Sequence, residues 1–175
     1  MQRMAVMRSV FRRLIWTLLL AVLAGCGFQL RGSYTLPYES LYIAGPEYSV
    51  VLASLKRAIR ATGGTRLTET AAEAQATFRS TGEAKEPIIL SLSGSGRVRE
   101  KRLRYRYGYR IVDPKGRDLV LPGVIELTRD LSYADSDVLA KTQEEDLLWR
   151  DMENDLVQQL MRRLAATKPQ PPEED

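Results

Sequence analysis

Between Leu103 and Ile111 apolar and polar residues alternate. Leu103, Tyr105, Tyr107, Tyr109 and Ile111 fall on one side of an extended chain, and Arg102, Arg104, Arg106 and Arg110 on the other. A period of two predicts a half-buried strand over Arg102–Val112. Asp113-Pro114-Lys115-Gly116 is a turn signal. A second strand pattern, Leu119–Leu131, follows it and is bent around Pro122-Gly123, so the two form a hairpin. Upstream, the apolar run Leu41-Tyr42-Ile43 predicts a first strand. Val51, Leu52, Leu55, Ala58 and Ile59 then recur at helical spacing. Gly45-Pro46 opens that helix and Gly63-Gly64 stops it. Ala76–Ser80 predicts a short extra strand, and Ile88–Ser93 is a β-rich run after Pro87. At the end, Leu148, Met152, Leu156, Leu160 and Leu164 are spaced by four. Trp149, Val157 and Met161 widen that stripe into one face of a long helix. Thr142 and Glu145 match a capping box at its start.

The order strand, helix, several strands, helix predicts an α+β two-layer sandwich. Two helices pack on one face of a small, mostly antiparallel or mixed sheet of about four strands. The domain is expected over 41–166, after a tether over 26–40. Residues 167–175 are Pro-rich and acidic and are expected to be disordered.

Residues 1–25 carry the parts of an export signal. Arg3, Arg8, Arg12 and Arg13 precede the apolar run Leu14–Leu23, which is too short to span a bilayer well. Leu23-Ala24-Gly25-Cys26 resembles the bacterial lipobox, in which cleavage before Cys leaves that residue to carry acyl chains. The alternatives are a plain signal peptide with a chance cysteine, or an uncleaved anchor. One acyl chain binds a membrane marginally, while the three of a mature bacterial lipoprotein hold it almost permanently. Gly27, rather than Asp, at the second mature position favours the outer membrane.

The formal charge of +4 belongs to that leader. Removing its four Arg from the 26 basic residues leaves 22, matched by 22 acidic ones. Any basic surface must therefore come from clustering. The chain has no His, which removes the commonest general base and metal ligand. Its one Cys allows no internal disulfide. No serine sits in a nucleophile motif. Glu144, Glu145 and Asp146 read as the acidic start of a helix, because consecutive helical residues point apart. No catalytic residue, cofactor or metal is expected. The Tyr105, Tyr107 and Tyr109 stripe reads as sheet core rather than as a base-stacking platform, so no nucleic-acid partner is expected.

Several stretches converge on one family. Cys26-Gly27-Phe28-Gln29-Leu30-Arg31-Gly32 resembles the start of mature proteins of the LptE lipopolysaccharide-assembly lipoprotein family. Ser95-Gly96-Arg97-Val98-Arg99-Glu100, with the alternation and turn that follow, is similar to that family's central hairpin. Leu139-Ala140-Lys141, ahead of the long helix, resembles its C-terminal third. The resemblance implies a non-enzymatic, lipid-anchored protein on the periplasmic side of the outer membrane. Such proteins plug the β-barrel LptD and bind lipopolysaccharide for delivery to the outer leaflet. The family's hairpin-loop basic residue falls near Arg97 or Arg99, and its lysine on Lys141. Arg97, Arg99 and Lys141, with Arg102 from the same basic cluster, are the binding candidates. Guanidinium forks suit the phosphates of such a ligand. Arginines on an exposed strand also guard a sheet against edge-to-edge association, and that reading stands beside the first. Two other functions remain open: a pilotin or barrel-assembly accessory with another partner, and a lipid-tethered cell-wall enzyme.

Overall fold

The computed structural model of the chain describes residues 34–133 and 138–167. The leader, Cys26, Gly27 and the tail beyond Thr167 lie outside the described residues. Five strands and two long helices form the domain: β1 (Ser40–Ala44), α1 (Val50–Thr62), β2 (Arg66–Leu67), β3 (Ala76–Leu92), β4 (Val98–Val112), β5 (Asp118–Ser132) and α2 (Val138–Ala166). The sheet order is β2-β1-β3-β4-β5. β1 pairs in parallel with β2 and β3, and the β3-β4-β5 meander is antiparallel. The two-layer α+β sandwich expected from the pattern is present, with a mixed sheet.

Local chemistry accounts for the elements. The Ser49 side chain caps α1, accepting from the Leu52 amide at 3.3 Å. Gly63 ends that helix at φ +71°, in the left-handed region where only glycine sits without cost. Val51, Leu52, Leu55 and Ile59 form its buried stripe. The tyrosine stripe of β4 is core: Leu103, Tyr105, Tyr107, Tyr109 and Ile111 are all buried, in one cluster with Ile125 and Leu127 of β5 and the α2 face of Met152, Leu156, Leu160 and Leu164. Phe78 stacks on Tyr109 with ring centres 5.8 Å apart, and Tyr105 meets Trp149 edge-on at 6.3 Å. Leu36 and Tyr38, ahead of β1, are also buried in this core.

Two features differ from the sequence expectations. Ala76–Ser80 and Ile88–Ser93 are not separate elements; they belong to one strand of 17 residues, Ala76–Leu92. Pro87 does not break it, because β3 pairs with β1 only as far as Arg79. Beyond that point no described residue pairs with one flank of β3, and an edge strand tolerates the missing N–H. The capping box is also not formed as expected. α2 begins at Val138, a turn before Thr142, and Glu145 is drawn instead into side-chain bonds with the sheet. The irregularity expected around Pro122-Gly123 takes the form of a bulge within β5: Tyr109 pairs with Gly123, but Ile111 pairs with Val120.

Candidate functional site

Two of the sequence candidates, Arg97 and Arg99, lie at the far end of the β3–β4 hairpin. Its loop, Ser93 to Arg97, is closed by its own polar groups. The Ser93 amide donates to the Arg97 carbonyl at 2.7 Å, and the Arg97 amide donates to Ser93 Oγ at 3.1 Å. Gly96, at φ +77°, supplies the left-handed corner. Arg97 and Arg99 are exposed on this tip. Among the described residues, no carboxylate pairs with Arg99.

Helix α2 runs along the inner face of the hairpin and holds it through ion pairs and aromatic contacts. Lys101 Nζ donates to Glu145 Oε2 at 2.6 Å, and the Tyr133 hydroxyl donates to the same oxygen at 3.1 Å. Burial opposes ionisation of both Lys101 and Glu145. Their mutual bond and Tyr133 outweigh it, so the lysine is raised and the carboxyl lowered from their ordinary values. Two turns further along α2, Lys85 meets Glu153 at 2.5 Å and lies over the rings of Tyr105 and Trp149. Burial, then the hydrogen bond to Glu83, pushes the Tyr105 hydroxyl far up. Burial likewise raises Tyr107, whose hydroxyl meets no hydrogen-bond geometry; the nearby Ser80 side chain offsets only part of the effect. These contacts run from Glu145 opposite Lys101 to Glu153 opposite Lys85. The N-terminal end of α2 therefore lies at the tip end of the hairpin. Lys141, one turn before Glu145 or roughly 6 Å along the axis, sits at that end and pairs with Glu144 at 2.7 Å. The structure thus brings Arg97, Arg99 and Lys141 to one end of the fold.

Arg102 is placed differently. Its Nε and Nη2 donate to the two carboxylate oxygens of Asp130 at 2.7 and 2.8 Å. The whole outer stripe of β4 is matched in this way. Arg104 pairs with Glu86, Arg106 Nε lies 3.3 Å from Glu126, and Arg110 makes two 2.9 Å bonds to Asp118. Hydrogen bonds from Arg104 and Arg102 hold Glu86 and Asp130 below the usual carboxylate range. The outer face is therefore an alternating ladder of paired charges rather than an open basic strip. The sequence reading counted its cations and missed their partners, because Glu86, Glu126 and Asp130 lie on other strands.

It also missed the apolar edge at the tip. Ile89, Leu90 and Leu92 are large exposed aliphatic residues on β3. The signal was present as a β-rich run at a strand end, but exposure is set by which neighbours the strand lacks. Away from the tip, an open groove of about 700 Å³ lies where β3 parts from β1, lined in part by Tyr48, Ser49, Thr81, Glu83, Lys85 and Glu153. Its one lysine is already tied to Glu153. Among the described residues no group of acidic side chains could hold a metal ion, and no helix is long and apolar enough to cross a membrane.

Comparison with known proteins gives this geometry a context. A family model described as LptE, lipopolysaccharide-assembly, matches residues 38–164. The LPS-assembly lipoprotein LptE of Yersinia pestis (strain Pestoides F) is 27% identical over 161 residues, covering 90% of this chain and 77% of that protein. Its counterpart from Yersinia pseudotuberculosis serotype O:1b matches equally. Among solved structures, an uncharacterized lipoprotein B from Nitrosomonas europaea is 38% identical with a TM-score of 0.69, over 80% of this chain and 91% of that one. The rare lipoprotein B of Shewanella oneidensis, 23% identical with a TM-score of 0.63, covers 73% of this chain and 95% of its own and shares the fold.

Proposed function

Since the chain belongs to the LptE lipopolysaccharide-assembly family, we propose that it acts by binding, as an outer-membrane lipoprotein anchored through Cys26. In this reading it seats in the lumen of the LptD β-barrel from the periplasmic side and presents lipopolysaccharide for delivery to the outer leaflet. The observation that carries the binding role is the hairpin tip, where Arg97 and Arg99 are exposed on a hairpin stiffened by α2, with the N-terminal end of α2 that carries Lys141 lying toward the same end. Phosphates of lipid A and anionic groups of the inner core are the matching chemistry, since guanidinium binds such oxygens in paired, charge-assisted bonds. A preformed tip loses little entropy on binding. Arg102 stands outside this set, because its fork is filled by Asp130.

The test is a pull-down of the full-length protein from outer membranes. Recovery of the LptD barrel together with lipopolysaccharide supports the reading. Recovery of a secretion pore or a barrel-assembly complex without LptD would replace it. Loss of the protein should also leave less lipopolysaccharide at the cell surface.

A further inference from the structure

The open edge of the hairpin tip is apolar. Ile89, Leu90 and Leu92 are 56%, 43% and 56% exposed, three large aliphatic side chains within four positions. Among the described residues nothing pairs with β3 on that flank beyond Arg79. Exposed aliphatic clusters are uncommon on a domain built to meet only water, and strand edges are ordinarily blunted with charge. Two ladder irregularities fall at the same place: Leu90 is an extra residue on β3, and Arg99 is an extra residue on β4. Bulges re-aim side chains. The result sets a greasy edge one or two ladder steps from an exposed guanidinium with no carboxylate partner among the described residues. On the rest of β4 the outward arginines are matched.

We infer that this edge seats the acyl chains of the phosphorylated glycolipid, with Arg99 on a phosphate beside them. The inference rests on the lipopolysaccharide-binding reading above and adds the part of the ligand that the tip takes. An amphiphile whose phosphates adjoin its acyl chains matches a cation adjoining an aliphatic strip, in both charge and polarity. Extended acyl chains lie along the side chains of a strand edge and cover them from water. The rival occupant of an open edge is another β-strand. This edge is a poor template for one, because Pro87 offers no N–H and the bulge at Leu90 breaks the spacing of donors and acceptors.

The test uses the full-length protein in phosphatidylcholine nanodiscs, titrated with intact lipopolysaccharide and with the same material fully deacylated. The double substitution Ile89→Ser/Leu92→Ser is expected to lose about tenfold in affinity for the intact ligand and nothing for the deacylated one. Arg99→Gln is expected to weaken both. Ile89→Met/Leu92→Met should keep the affinity of the parent, which separates lost apolar contact from lost fold. Parental affinity of the serine variant for intact ligand would overturn the inference while leaving the binding reading in place. Absence of any binding by the parent would overturn both. A serine variant that binds lipopolysaccharide normally but no longer co-purifies with the barrel would make the edge a protein contact instead.

Discussion

Gly123 illustrates how single positions decide the packing. A Cβ built there would lie 2.7 Å from the ring of Tyr109, and that ring is pinned against Phe78. Gly123→Ala is therefore expected to cost about 1–3 kcal/mol by overpacking, read as a lower urea midpoint with an unchanged slope. Leu160, fully buried on α2, tests the opposite error. Leu160→Ala leaves a cavity and should cost about 2–5 kcal/mol in the same measurement. The arginines of β4 show what residue identity leaves open. Extending the register from the Val112–Asp118 pair without interruption would set Arg102 opposite Thr128 and Arg106 opposite Val124. One extra residue would bring Arg129 opposite Arg102. The two extra residues on β5, at Leu119 and around Leu121-Pro122, give the observed register, with Asp130 facing Arg102 and Glu126 facing Arg106. A strand shifted by two keeps its faces while changing every partner.

Hairpin and helix are held to each other by paired charges at the level of elements. Lys101 and Glu145 are each about 20% exposed, so their bond is screened less than the outer ladder. Lys101→Met is expected to destabilise the domain by about 1–2 kcal/mol, since it leaves a half-buried carboxylate without its cation. Hydrogen exchange should rise first at the α2 turn holding Glu145. The same pair sets an acid response. The Glu145 carboxyl ionises below its ordinary value of 4.5 in the folded state. Its contribution is therefore complete above that value and is lost as pH falls through the lower folded one. Lys101 is raised, so its share is lost only at strongly alkaline pH, as pH climbs through the folded value. An acid titration followed by tryptophan fluorescence should detect the loosening through Trp149, next to the pair, and the response should be missing in Lys101→Met. The helix start was misread from sequence at this same point. Thr142 and Glu145 carry the spacing of a cap, yet Glu145 is taken by Lys101 and Tyr133 across the layer.

At the scale of the molecule, the outward arginines of β4 are paired, while Arg99 at the far end of the hairpin has no carboxylate partner among the described residues. Ligand binding should follow that division. Arg102→Gln is expected to leave lipopolysaccharide affinity near that of the parent, because Asp130 already fills its fork. Arg99→Glu should weaken binding sharply, and the parent's affinity should fall as salt is raised across the physiological range. Equal losses from the two substitutions in one titration would show that the outer ladder opens to receive ligand.

Period and punctuation alone settled most of the architecture. The tyrosine alternation, the helical stripes of α1 and α2, the Asp113–Gly116 turn and the resemblance of the hairpin to one family all depend on neighbours a few positions apart, where backbone geometry ties spacing to facing. Other features rested on contacts that close only when distant segments meet. These are the fusion of two predicted strands into β3, the carboxylates that neutralise Arg102 and its neighbours, the pairing of Glu145 with Lys101 across the layer, and the exposed Ile89, Leu90 and Leu92. Charge compensation and exposure are properties of neighbourhoods in space, and bulges shift those neighbourhoods without leaving a periodic mark in the chain.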